Sequence, residues 1–117
     1  MRSTKELTLE KNIIENKLRI PRDKLVTRYL KQELEYLETQ QQQRLHFVQH
    51  EIRSYIKSMV QDVYQGTPKE LATRYTRTLV YHYWREQDIT LEERDAFCFD
   101  IENIFTSNRV RAKYNLL

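Results

Sequence analysis

Apolar residues in this chain recur at intervals of three and four almost from end to end, the spacing that gives an α-helix one buried face. Leu7, Ile14 and Leu18, with Ile13 beside them, form the first such stripe, opened by Ser3-Thr4-Lys5-Glu6 in capping-box spacing and closed before Ile20-Pro21. Asp23 is placed to cap a second helix that meets no glycine or proline until Gly66. Along it Val26, Leu30, Leu34, Leu37, Gln41, Leu45, Val48, Ile52, Tyr55, Met59 and Val63 keep one face apolar for about forty residues, roughly 60 Å at 1.5 Å per residue. Gln40 to Gln43 interrupt the hydrophobicity, and because glutamine is a good helix former a continuous helix is the expectation there over a break.

Gln65-Gly66-Thr67-Pro68-Lys69-Glu70 is the clearest boundary. Gly66 suits a left-handed helix end, and Thr67, Pro68 and Glu70 suit the start of the next helix. Thr90 and Glu93 repeat the capping logic before a fourth helix. The expected elements are helices over 4–19, 23–65, 67–87 and 90–106, followed by a basic tail over 107–117. This is a single all-α domain, a small helical bundle with one long second helix. A helix of that length overhangs its neighbours and has an apolar face to cover. A homodimer through Leu45, Val48, Ile52, Tyr55 and Met59 is the expectation that follows.

Composition sharpens this picture. One glycine and two prolines in 117 residues leave little material for the tight turns of a β architecture. Charged residues make up 32%, in keeping with helices that each expose a broad polar face. The single Cys98 has no internal disulfide partner, and the longest stretch without charge, Thr78 to Trp84, is far shorter than the twenty or so apolar residues of a membrane span. A cytoplasmic protein without a membrane segment is expected. The net charge of +3 rests on 20 basic against 17 acidic residues, divided evenly along the chain, so any nucleic-acid surface must come from local clustering.

The stretch Thr73-Arg-Tyr-Thr-Arg-Thr-Leu-Val-Tyr-His-Tyr-Trp-Arg-Glu86 interleaves arginines with aromatic rings. Helical periodicity separates them. Leu71, Tyr75, Leu79 and Tyr83, flanked by Ala72, Val80 and Trp84, are expected to form the core stripe. Arg74, Arg77, Tyr81 and Arg85 fall on another face. Arginine and tyrosine there suit a protein interface or contacts to phosphates and bases, or else a solvated face paired with Glu70, Glu86 and Asp88. Arg109, Arg111 and Lys113 of the tail are the second candidate group.

Other chemistry has thinner support. His46 and His50 share a helix face, but His82 lies on another helix and a zinc site takes three or four ligands, so no metal is expected. Cys98, between Phe97 and Phe99, reads as a small core residue on a fourth helix that buries Leu91, Phe97, Cys98, Ile101, Ile104 and Phe105. The outer face of that helix is acidic, with Glu92, Glu93, Asp95, Asp100 and Glu102. A single glycine excludes the familiar phosphate-cradling loops, and no nucleophile motif is present. Glu70-Leu71-Ala72 resembles the start of the second helix of a helix-turn-helix, but residues 73–84 continue the helical period without a turn. The expected function is non-enzymatic: a protein-interaction module such as an adaptor, inhibitor or accessory subunit, with no cofactor and no small-molecule substrate. The alternative is a small nucleic-acid-binding regulator that uses the Arg/Tyr face and the basic tail.

Overall fold

A computed structural model describes all residues, 1–117. Five helices follow one another: α1 Thr4–Leu18, α2 Lys24–Tyr64, α3 Lys69–Arg85, α4 Leu91–Asn103 and α5 Asn108–Lys113. The molecule is a rod of 63 × 22 × 22 Å, and its length is that of α2. Helix α2 runs unbroken through the glutamines. Gln41 meets α1, donating to Thr8 Oγ1 at 3.1 Å and accepting from Lys11 Nζ at 3.3 Å.

Local chemistry explains most boundaries. The Ser3 hydroxyl accepts from Glu6 N, Asp23 Oδ1 accepts from Leu25 N at 2.9 Å, and Thr90 with Glu93 forms a complete capping box. At Ser3 only half of the expected box forms, and Ser3 Oγ donates to Glu86 Oε2 instead. Helix α2 ends as Gly66 turns to φ +113°, with Gly66 N donating to Val63 O and Thr67 N to Asp62 O. Gln87 (φ 61°) closes α3 in the same way, with Gln87 N donating to Trp84 O and Asp88 N to Tyr83 O. Helix α3 starts two residues later than expected, with Pro68 at its cap and no side-chain cap bond from Thr67.

Two bodies share α2. In the arm, α1 folds back antiparallel on the first half of α2 over a small core of Leu7, Ile14 and Leu37, with Leu18, Leu30 and Leu34 partly buried against it. In the head, the second half of α2 packs with α3, α4 and α5 around fourteen buried residues. The expected tail is the helix α5. Val110 and Tyr114 are buried in the head core, because the basic letters that suggested a solvated tail occupy only its outer side.

The expected seam is accounted for within one chain. Val48, Ile52 and Met59 belong to the head core together with Ile56 and Val60, while Leu45 and Tyr55 remain exposed. Much of the apolar face of α2 is therefore covered, by α1 at one end and by the head helices at the other, which removes the reason to invoke a second copy at Val48, Ile52 and Met59. The α3 core stripe is turned by about one residue from the expected one. Ala72, Thr73, Thr76, Val80 and Tyr83 are buried, whereas Leu71 and Tyr75 are exposed and Leu79 and Trp84 only partly buried. On α4, Phe97, Ile101 and Ile104 are buried as expected, Cys98 and Phe105 are partly buried, and Leu91 is exposed.

Arm and head are tied by a buried ion pair. Asp88, fully buried in the α3–α4 connection, accepts from Arg44 Nε at 3.1 Å and Arg44 Nη2 at 2.9 Å, and from Thr4 N at 2.8 Å. The hydrogen bonds to Asp88 hold the Arg44 guanidinium above its ordinary pKa against the opposing effect of burial.

Candidate functional site

The turned face of α3 leaves an apolar surface uncovered. Leu71, Tyr75 and Leu79 of α3 and Tyr55 and Met59 of α2 line an open groove of about 730 Å³ between the two helices. Tyr75 is 71% exposed, Tyr55 49% and Leu71 41%, so large side chains that periodicity assigns to the core or a seam stand in solvent. Ser54, Ser58, Asp62, Thr67, Thr78 and His82 supply hydrogen-bonding groups along the same walls. Large apolar side chains mixed with hydrogen-bonding groups are the composition of a protein interface.

Arg74, Arg77, Tyr81 and Arg85 are brought together as expected, and with Thr78 they line a shallow concavity of about 350 Å³ next to the groove. None of the three arginines makes an ion pair. The carboxylates expected to pair with them are engaged elsewhere, Asp88 with Arg44 and Glu86 with Ser3, while Glu70 forms no salt bridge. Arg94 of α4, which the sequence reading did not single out, extends this surface. Its guanidinium lies 5.1 Å from the Tyr81 ring centre and 4.3 Å from that of Trp84, and it pairs with Asp95 at 3.0 Å.

The tail cations are divided. Arg111 donates from Nε to Ile104 O at 2.9 Å and from Nη2 to Phe105 O at 2.6 Å, tying down the end of α4. Lys113 pairs with Asp100 at 3.1 Å, and its own carbonyl accepts from Arg53. Only Arg109 is exposed and unengaged. Asp100 is accordingly not part of a solvated acidic face. It is buried and accepts from Tyr114 Oη at 2.6 Å, and burial pushes the Tyr114 phenol well above its ordinary pKa.

His46 and His50 lie together on the exposed side of α2 with Gln42, Gln43 and Phe47, and no third histidine, cysteine or carboxylate converges on them. Burial raises the Cys98 thiol above its ordinary pKa, with Arg94 and Arg77 opposing that shift more weakly, so the thiol is held in its less reactive form. No protein-family model, no curated protein and no solved structure matches this chain.

Proposed function

We propose that this protein is a non-enzymatic interaction module, an adaptor, inhibitor or accessory subunit, that docks an apolar helical segment of a protein partner in the groove between α2 and α3. The observation that carries this reading is the exposure of Tyr55, Leu71 and Tyr75 along one groove. An open trough between two helices suits the apolar face of a third helix better than a small molecule, which is usually enclosed on most sides. Tyrosines in such a trough supply large contact areas, and the arginines along its flank add hot-spot residue types. A photo-crosslinking residue at position 75 should capture a discrete partner in extracts of the source cell, and one at the exposed Lys5 should not. The double variant Leu71→Ala/Tyr75→Ala should lose that partner while keeping full helicity by circular dichroism. Equal capture by the variant would move the interface off the groove.

A second reading is favoured by the unpaired state of Arg74, Arg77 and Arg85 beside Tyr81, a combination suited to nucleic-acid phosphates and bases. The internal engagement of Arg111 and Lys113 weakens the tail's share in it. Replacing Arg74, Arg77 and Arg85 together should abolish salt-dependent nucleic-acid binding on this reading, and leave partner capture by the groove reduced at most on the first.

A further inference from the structure

The most concentrated charge on the molecule lies far from the groove, at the free end of the arm. Residues 17–31 carry Lys17, Arg19, Arg22, Lys24, Arg28 and Lys31 against Asp23 alone, a local charge of +5 on a chain whose total is +3. The remainder of the molecule has 14 basic and 16 acidic residues and is slightly acidic. None of the six cations forms a salt bridge. The one acid among them is already used, since Asp23 caps α2 through Leu25 N.

Four of these cations, Arg22, Lys24, Arg28 and Lys31, converge with Thr27 and Gln32 on a concavity of about 340 Å³ that no hydrophobic residue lines. Arg22 is held in place by its Nε, which donates to Lys17 O at 3.0 Å. Lys24, Arg28 and Lys31 follow one face of α2, at steps of four and three residues. Folding does not account for Lys24: the first turn of α2 contains no acidic residue, and a cation there opposes the helix dipole. A local rule broken without a gain in stability points to a ligand.

We infer that the tip of the α1–α2 hairpin is a second binding surface, which grips the phosphate backbone of a nucleic acid. The row from Lys24 to Lys31 spans about 10 Å along α2, the length of roughly three phosphates on one strand at about 3.4 Å each. Thr27 and Gln32 lie among the cations as neutral hydrogen-bonding groups, as phosphate and sugar contacts require. Four exposed apolar residues lie at this tip, Ile20, Leu25, Val26 and Tyr29, and none of them lines the concavity. A membrane-binding face would present them together with the cations. The surface rests on residues separate from the groove, so it stands or falls independently of the docking reading, and it places the nucleic-acid contacts at the tip in place of the α3 arginines.

Binding of the full chain to a labelled random-sequence DNA duplex and to single-stranded RNA, by fluorescence anisotropy at about 50 and 200 mM salt, tests the inference. Four phosphate contacts should weaken affinity roughly a hundredfold over that range. The variant Arg22→Glu/Lys24→Glu/Arg28→Glu/Lys31→Glu should bind at least tenfold more weakly at the lower salt. Arg74→Glu/Arg77→Glu/Arg85→Glu should bind within about threefold of the parent. The milder Lys24→Gln/Arg28→Gln/Lys31→Gln variant, with circular dichroism on each protein, separates loss of contact from loss of fold. No binding at 50 mM, a loss that follows the α3 arginines alone, or association with phosphatidylserine vesicles but not with nucleic acid would each overturn the assignment.

Discussion

The arm and the head are built from the same long helix, yet they divide core and charge unequally. The head buries fourteen residues around α2, α3, α4 and α5, and the arm buries three. The arm, in exchange, carries the free cations of its tip, while the head's buried acids Asp88 and Asp100 are satisfied internally. Most of the core thus sits at one end of the rod and the most concentrated unpaired charge at the other. Each end exposes what the packing of its own body does not use: charge at the tip, and the apolar walls of the α2–α3 groove in the head.

The largest expected effect comes from breaking the joint between them. Asp88→Ala strands the buried Arg44 guanidinium and frees Thr4 N, and should cost about 3–5 kcal/mol, read as a fall in Tm. A shift of less than about 1 kcal/mol would mean that arm and head are not coupled through this pair.

Cavities should then separate the two bodies. Ile52→Ala in the head core should cost about 2–5 kcal/mol in global unfolding. Leu7→Ala in the arm should mainly speed hydrogen exchange of α1 amides while the head amides keep their protection, since a three-residue core opens more easily than the rest. Equal acceleration in both bodies would show one cooperative unit.

A smaller effect follows from the tyrosines. Burial raises both Tyr83 and Tyr114 above their ordinary pKa, so the folded protein holds two protons that the unfolded chain releases near pH 10. Their contribution is fully present below that pH and is lost as pH rises above it. Tyr114→Phe should flatten this alkaline loss, and an unchanged pH profile would contradict the burial of Tyr114. The smallest change expected is a gain: Gln87→Gly should raise stability by about 0.5–1 kcal/mol by relieving a left-handed backbone in a residue with a Cβ.

The helices themselves were legible because their signals are local. Asp23, Gly66 and the Thr90–Glu93 box act within a few residues, and the glutamine run reads as helix on propensity alone. The orientation of α3 was not legible. Thr73 and Thr76 tolerate burial because each hydroxyl donates to a carbonyl of its own helix, at 2.9 Å to Lys69 O and 3.0 Å to Ala72 O, which lets a polar residue pack as a small apolar one. Leu71 and Tyr75, the better candidates by hydropathy, were thereby left outside. Arg44 was hidden for a related reason. The pattern favours Leu45 at that turn of α2, and the partner that makes burial of arginine tolerable lies forty-four residues away. Charge counted over long stretches concealed the tip, because its six cations are averaged with the flanking Glu6, Glu10, Glu15, Glu33, Glu35 and Glu38.

The most direct test of the central claim, that this head leaves an apolar groove open for a partner, is the thermal unfolding of Leu71→Ala/Tyr75→Ala beside that of Ile56→Ala. Exposed groove walls predict a loss of about 1 kcal/mol or less for the double variant and about 2–5 kcal/mol for the buried isoleucine. A loss in the double variant as large as that of Ile56→Ala would place Leu71 and Tyr75 in the core, close the groove and contradict the account.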